Sequence, residues 1–355
     1  MTLLRLLRDL DIKLRRSVRQ WLRLPKDTPL AYFHADVKDG GLGIPSLSHD
    51  MPERITQRAI RLQNSQDSVV ARIAAGPELT ERLSKWSEPI YLQGNAMNSG
   101  KALRRLSWSQ LLTSSVDGRG LNGASAVPYA HAWVTDGSGV SSGHLYIAAI
   151  NARCNLLPTR HRGGRGQSRS GSVRTCDACG PCQLETLSHI SQVCPRTWSP
   201  RNRRHNKLVD VLSRFLQRKG FTTLLERKFC TSRGGFKPDI VAWNEQHALV
   251  IDVTVTSDNL PSENSAHQGK VEKYSAVREI SQFLRETTGL EPLFSALAVN
   301  WRGVIAPQSA ADLREVGITK RELKLLSLIT VEQTALIHRH FYQSTYRVKS
   351  NRITS

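Results

Sequence analysis

The stretch Phe236-Lys237-Pro238-Asp239-Ile240-Val241-Ala242-Trp243, a polar break at Asn244-Glu245-Gln246, and then Ala248-Leu249-Val250-Ile251-Asp252-Val253-Thr254-Val255-Thr256 reads as two strands joined by a turn. Both runs are rich in β-branched and aromatic residues, which suit a pleated surface. In the second run Ala248–Ile251 is apolar without alternation, the pattern of a strand covered on both faces. A carboxylate at the end of such a strand needs a partner, which makes Asp252 informative. Side chains opposite each other on paired strands sit about 5 Å apart. Asp239 and Asp252 are therefore candidates to hold one divalent cation, Mg2+ or Mn2+, whose charge would offset their mutual repulsion.

The pattern on either side extends this α/β reading. A helix carrying Leu208, Val211, Leu212, Phe215 and Leu216 ends at Gly220, and Phe221–Phe229 is strand-like. Downstream, a helix over 270–287 puts Lys270 and Tyr274, four residues apart, on one face. A strand at Leu293–Val299 follows, and Thr319-x-x-Glu322 is a capping box that starts a long helix towards Tyr342. A lysine beside a metal orients water and stabilises charge on a phosphate, so the constellation suits phosphodiester hydrolysis. Bland readings stand beside this one. Pro238-Asp239 is a common turn dipeptide, Tyr274 opens the apolar stripe Tyr274, Val277, Ile280 and Leu284, and Lys273 reads as a solvated charge. Glu226 and His267 are further candidates for the same site.

Four of the six cysteines crowd around one histidine. Cys176-x2-Cys179-x9-His189-x4-Cys194 supplies three thiolates and an imidazole, the ligand set of a closed tetrahedral zinc site. Cys182 leaves Cys179, Cys182, His189 and Cys194 as an alternative set. Four protein ligands leave no open position, so this metal is expected to be structural and nucleic-acid-facing. Cys154 and Cys230 are expected to be small core residues. A tight cluster in a large basic chain points to a metal in a reducing compartment, not to a disulfide framework.

The chain has 355 residues, 50 Lys and Arg against 30 Asp and Glu, and a net charge of +20. That length implies two or three domains. An apolar content of 39% excludes a disordered or collagen-like chain. No apolar run reaches the roughly 18 residues of a membrane span. The charge calls for a polyanionic partner, nucleic acid first, and it is unevenly spread. Asn151–Val209 holds eleven basic and two acidic residues, whereas Phe221–Asn300 holds eight and ten. Within the basic part, Asn151–Thr175 has six arginines and no acid, and is expected to stay flexible until it meets phosphates. Arg160, Arg162, Arg165, Arg169, Arg201, Arg203 and Arg204 are the candidate nucleic-acid contacts. Met1–Leu24 reads as an amphipathic helix with Leu3, Leu7, Leu10, Leu14, Val18 and Trp21 on one stripe and a basic outer face. Proline and glycine breaks follow at Pro25–Pro29 and Gly40–Pro45. The pattern is mostly helical from Met51 to Leu112, with Leu83 among its apolar positions. Ser114–Ser142 reads as loop and His144–Ile150 as a short apolar run.

Taken together, these residues resemble the C-terminal part of the open reading frame of a non-LTR retrotransposon. The type is the site-specific one that encodes a restriction-like endonuclease and inserts into arthropod ribosomal RNA genes. Trp21-Leu22-Arg23-Leu24-Pro25 and Gly40-Gly41-Leu42-Gly43-Ile44-Pro45 resemble the thumb that follows the reverse transcriptase palm. Arg153-x-Asn155-x-Leu157-Pro158-Thr159 resembles the linker, and the Cys/His cluster resembles the zinc knuckle. Arg204-His205-Asn206 resembles the element before the nuclease. Lys237-Pro238-Asp239, Asp252, Lys270-x2-Lys273-Tyr274 and Trp301-Arg302-Gly303 resemble the nuclease itself.

The resemblance implies a protein that nicks one DNA strand, and primes reverse transcription of the element's RNA from the exposed 3′ end. By similarity Asp239 and Asp252 are metal ligands, Lys270 is the catalytic lysine, and Tyr274 assists. The lysine that usually follows the second acidic residue of this nuclease superfamily by two positions is Thr254 here, so activity would depend on Lys270. No Tyr/Phe-x-Asp-Asp pair of polymerase aspartates is present, so the chain is expected to be a fragment or truncated copy that does not polymerise DNA.

The expected fold is multidomain. A thumb-like helical segment (1–50) and a helical or loop region (51–150) precede a basic linker with the zinc knuckle (151–209). A PD-(D/E)xK-type α/β nuclease core (210–310) and a C-terminal helical extension (311–355) complete it. Expected partners are double-stranded ribosomal DNA and element RNA, in the nucleus and with no membrane. Two rivals remain, the tail of an RNA-directed DNA polymerase polyprotein and a decayed fragment that only binds nucleic acid through zinc and arginines.

Overall fold

The computed structural model describes residues 3–78, 81, 90–92, 95–97, 101–139, 141–166, 174–180, 183–232, 234–258 and 263–347. The helical pattern around Leu83, as well as Arg169 and Cys182, lies outside them. The chain forms two compact units, and the five expected segments are grouped within these. Met1–Asp36 with Gly41–Ser115 makes the first, and Val37–Gly40 with Val116–Ser355 the second.

The first unit is built from α1 (Leu3–Trp21), α2 (Leu30–His34), α3 (Leu47–Gln63), α4 (Ser68–Ala74), a hairpin of β1 (Ile90–Leu92) and β2 (Asn95–Met97), and α5 (Lys101–Ser114). The hairpin interrupts a region whose sequence reads as helical. The buried face of α1 is narrower than the sequence stripe. Leu7, Asp11 and Val18 are buried, whereas Leu3, Leu10 and Trp21 are exposed. Asp11 is buried because it caps α3. Its carboxylate accepts from the Leu47 and Ser48 amides at 2.7 and 3.0 Å and from the Ser48 hydroxyl at 2.7 Å. Burial alone would raise its pKa, but these bonds at the positive end of a helix hold it below the ordinary value.

The second unit begins with short 3-10 turns at Arg119–Leu121, Ala124–Ala126 and Pro128–His131 and the single turn α6 (Trp133–Asp136). The sequence reads as loop here, but its small residues let these turns pack closely, and Ala124, Val127, Ala130 and Trp133 are buried. Next come α7 (Gly143–Arg153), α8 (Arg160–Gly163), α9 (Leu187–Gln192) and α10 (Trp198–Gln217). Strands β3 (Thr222–Leu225), β6 (Ile240–Trp243), β7 (Ala248–Thr256) and β8 (Pro292–Asn300) form one sheet in the order β3-β6-β7-β8. A separate hairpin of β4 (Phe229–Thr231) and β5 (Gly234–Phe236) is inserted before β6. β6 and β7 are antiparallel, joined by a turn in which the Asn244 side chain accepts from the Gln246 and His247 amides. β7 and β8 are parallel, linked by α11 (Glu263–Ser275) and α12 (Arg278–Thr288). The sequence reads these two as one helix. The chain turns extended at Val277, yet Tyr274, Val277, Ile280 and Leu284 stay buried as one stripe. α13 (Pro307–Glu315) and α14 (Lys320–Tyr342) follow, the latter opened by the expected Thr319–Glu322 capping box.

Alternation along the strands sorts the core into two layers. Leu249, Ile251 and Val253 of β7 face α10, α13 and α14, where Leu212, Phe215, Leu313 and Leu326 pack. Ala248 and Val250 face the other way, with Val241, onto Tyr274, Ile280 and Leu284 of α11 and α12. β7 is thus covered on both sides, as its unbroken apolar run requires.

Arg302, just past β8 and 1% exposed, locks the second unit together. Its guanidinium donates to Asp258 Oδ2 at 2.5 and 2.9 Å and to the Asp117 and Arg153 carbonyls at 2.6 and 3.2 Å. Gly120 sits against this pair, and a Cβ there would collide with the Arg302 guanidinium and the Asp258 carboxylate. Burial pushes the Asp258 pKa up, but Arg302 reverses the shift and holds it below the ordinary 3.8. Arg302→Ala would strand a buried carboxylate and should destabilise the second unit by about 3–5 kcal/mol in urea unfolding followed by circular dichroism. A depressed carboxylate pKa contributes stability above its unfolded value. The wild-type advantage over Arg302→Ala should therefore persist at neutral pH and shrink as pH falls below the ordinary carboxylate range.

Candidate metal and nuclease site

The β6–β7 register pairs Ile240 with Ile251. Carried one residue further, it sets Asp239 opposite Asp252 at the end of the ladder, on the face that meets α11. Lys270 and Tyr274 come from successive turns of that helix. Lys270 Nζ lies 2.7 Å from Asp252 Oδ2. Asp252 is 4% exposed, so its charge is compensated by this lysine at close range. Asp239 Oδ2 accepts from the Val253 amide at 2.7 Å. The Tyr274 hydroxyl donates to the Lys237 carbonyl at 3.1 Å while its ring packs in the core, so both sequence readings of this residue hold. Burial and the nearby Asp252 push its pKa upward, and it remains a phenol.

Site-residue selection from the sequence missed His205. It sits on α10, and its Nε2 is 3.1 Å from both Asp239 Oδ2 and the Val253 carbonyl. A carbonyl only accepts, so Nε2 carries the proton. The bond to Asp239 raises the His205 pKa against the opposing effect of burial. Helical spacing was the available signal, since His205 lies one turn after Arg201 on a helix whose next turn, Leu208, is core. Asp239, Asp252, Lys270, His205, Arg201 and Thr254 line one cavity of about 350 Å3. Glu226 and His267 lie outside this cavity. Glu226 pairs with Lys237 at the surface, 2.5 Å away. His267 is buried against the Ala296 carbonyl and Ser309 Oγ, both at 3.1 Å, where it fixes α11 one turn before Lys270.

The cysteine cluster assembles from the turn at 176–180, helix α9 and the residue before the 195–197 turn. Ligand atoms of Cys176, Cys179, His189 and Cys194 all lie within 4.8 Å of one another. Cys194 Sγ is 3.9 Å from the sulfurs of both Cys176 and Cys179, and Cys179 Sγ is 3.3 Å from His189 Nε2. A tetrahedral Zn–S bond of about 2.3 Å implies sulfur–sulfur edges of about 3.8 Å, so the donor set fits a metal such as zinc. Burial pushes the Cys194 thiol up to about 12, so a metal must displace its proton on binding. The same burial lowers the His189 pKa and keeps the imidazole neutral and ligand-competent. Cys154 is buried, as expected, but Cys230 is exposed on the β4–β5 hairpin.

The arginines expected to grip phosphates are largely engaged inside the protein. Arg162 is buried, and it shares Asp117 with Arg165 at 2.8 Å each. Arg160 forms an ion pair with Asp177 and stacks 5.0 Å over Tyr346. Arg204 is buried, donating to Thr334 Oγ1 and the Ser191 carbonyl, and burial brings its pKa down to about 9. Arg201 donates to the Gln192 and Cys194 carbonyls beside the carboxylate cavity. Arg203 is exposed. The expected flexible run is folded as far as Gly166, because Asp117 and Asp177, outside the acid-free window, supply its counter-charges. Among the described residues, no helix is long and apolar enough to cross a membrane.

No protein-family model matches the chain. It is similar to the retrovirus-related Pol polyprotein from type-1 retrotransposable element R2 of Nasonia vitripennis, 32% identical over 346 residues. That match covers 96% of this chain and 32% of the relative. The Pol polyprotein from type-2 retrotransposable element R2DM of Drosophila melanogaster is 33% identical over 317 residues, 89% of this chain and 29% of the relative. A type-1 R2 polyprotein of Popillia japonica is 29% identical over 348 residues, 97% of this chain and 69% of the relative. The chain spans about a third of the length of the first two relatives. These matches run through nearly the whole chain, which belongs to the family of R2 retrotransposon Pol polyproteins.

Proposed function

We propose that this chain is the DNA endonuclease portion of an R2-type polyprotein, nicking double-stranded target DNA so that the exposed 3′ end primes reverse transcription of element RNA. The observation that carries the reading is the convergence of Asp239, Asp252 and Lys270 at the open end of β6 and β7, in a cavity lined by polar and charged groups. The sheet and its flanking helices fit the PD-(D/E)xK-type nuclease that the resemblance implies. The site's target would be ribosomal DNA, in the nucleus.

The donors at this site are carboxylate oxygens, which suit a hard cation such as Mg2+ or Mn2+. When bound, such an ion would supply charge stabilisation at the phosphate and a more acidic water. Asp239 and Asp252 would hold it. Lys270, already within 2.7 Å of Asp252, places an ammonium where charge builds on the phosphate oxygens. Its origin on α11 compensates for Thr254, which lines the cavity where the superfamily's usual lysine would stand. His205 donates to Asp239 and fixes that carboxylate's orientation. Cys176, Cys179, His189 and Cys194 would hold a structural zinc that orders the segment between α8 and α10.

With Mg2+ or Mn2+ and a panel of duplexes that includes ribosomal DNA, Asp239→Ala and Asp252→Ala should each abolish nicking in a gel assay. Both should leave duplex affinity within about twofold. Cleavage surviving either change would refute the assignment. Binding without any metal-dependent nicking in the wild type would favour a module that only holds nucleic acid. Elemental analysis of the purified chain should return about one zinc per molecule, and Cys194→Ser should lose it together with the fold of 174–197. A zinc-free wild type would remove the metal from the reading.

A further inference from the structure

The second unit contains another cavity, of about 500 Å3, that shares Gln192 with the carboxylate cavity but none of its carboxylates. Arg119, His161, Arg162, Arg165, His189 and Arg302 contribute to its wall. Four guanidiniums meet two carboxylates here. Asp258 in the wall pairs with Arg302, and Asp117 behind it pairs with Arg162 and Arg165. The wall is therefore cationic, and Arg119 is exposed within it.

Two histidines add an independent observation. His189 is 7% exposed, and its Nε2 is turned to Cys179 in the cysteine cluster. Its other nitrogen, Nδ1, is buried and has no hydrogen-bond partner. An imidazole that holds a metal through one nitrogen presents an N–H at the other, which ordinarily finds an acceptor. His161 Nδ1 is likewise buried without a partner. Burial and the neighbouring Arg165 and Arg174 hold the His161 pKa below its ordinary value, so cationic surroundings already crowd this ring. Surplus guanidinium charge and unmatched imidazole nitrogens on one wall call for a ligand rich in anionic oxygen acceptors.

We propose that this cavity binds the phosphodiester backbone of a single nucleic-acid strand extending from the carboxylate cavity next door. Phosphate oxygens would accept from Arg119 and from the imidazole N–H groups. The cavity is of small-molecule size, which admits one strand and not a duplex. The shared Gln192 wall makes a continuous strand, and not a free nucleotide, the occupant that fits both cavities. The origin of that strand rests on the endonuclease reading, whereas the anion chemistry of the cavity does not.

The test is fluorescence anisotropy on the full zinc-loaded chain without added magnesium or manganese, so that no cleavage intervenes. The probes are a fluorescein-labelled blunt duplex and the same duplex with a single-stranded oligo-dT tail, with an oligo-rU tail as a second arm. In the wild type the tail should tighten binding about tenfold. Arg119→Ala combined with His161→Ala should remove most of that gain and leave the blunt duplex within about twofold. Arg119→Lys should retain part of it. Ser188→Glu, which adds a negative charge to the same wall, should also erase the gain, and thermal melting identifies any variant that fails to fold. Equal weakening of both probes, or no change with either tail, would overturn the proposal. So would displacement of the tail by inorganic phosphate but not by unlabelled oligo-dT, since the site would then take a free anion. A wild type that binds the tail yet never nicks would leave the phosphate site standing and sink the nuclease reading alone.

Discussion

A buried guanidinium that must find five acceptors' worth of company sets the plan of the larger unit. Arg302 emerges from the last strand of the sheet and reaches both the segment after β7, through Asp258, and the carbonyls of Asp117 and Arg153 in the preceding helical region. Asn300 works beside it, donating to the Gly120 carbonyl and to Glu263 at the start of α11. A bare arginine at such depth would be strongly destabilising, so the four segments have to arrive together. The helix that carries Lys270 therefore starts from a point fixed by the same network that closes the core. His267, one turn before Lys270, then sets the rotation of that helix through the Ala296 carbonyl and Ser309.

The carboxylate site inherits its geometry from this frame. Sheet alternation decides which face Asp239 and Asp252 occupy, and a one-residue slip of β6 against β7 would turn one of them to the opposite layer. The cysteine cluster is tied to the same frame from the other side. α9 carries His189 at its centre and Gln192 at its end, and Gln192 donates to the Thr256 carbonyl at the tip of β7. Glu185, fully buried, accepts from the Arg160 amide and the Tyr346 hydroxyl, which fastens the cluster to the C-terminal helix. The metal-binding segment is thus a wall of the larger unit and not an appendage on a tether.

The sheet was legible because strands covered on both faces leave an unbroken apolar run, and Ala248–Ile251 is such a run. The approach of Lys270 to Asp252 followed from helical spacing, and the ligand set Cys176, Cys179, His189 and Cys194 from thiol chemistry at short range. His205 was not selected as a site residue, since its partner lies 34 positions away and only the packing of α10 on the sheet brings them together. The arginines were misread for the same reason. A window free of acids looks like an open cationic surface, but Asp117 reaches Arg162 across 45 residues. Ser114–Ser142 read as loop because small residues carry no periodicity, yet their size is what lets turns pack against a core.

That internal pairing changes what the net charge of +20 means in solution. Affinity for a polyanion falls with salt because cations condensed on the phosphates are set free when a protein charge replaces them. An arginine already neutralised by a buried carboxylate frees none. Arg162 and Arg165 share Asp117, Arg160 faces Asp177, and Arg302 is matched by Asp258. The slope of log affinity against log salt should therefore report far fewer ionic contacts than a count of basic residues suggests. For this protein, much of the positive charge written in the sequence acts as mortar between its own segments, and the remainder is what an approaching polyanion can feel.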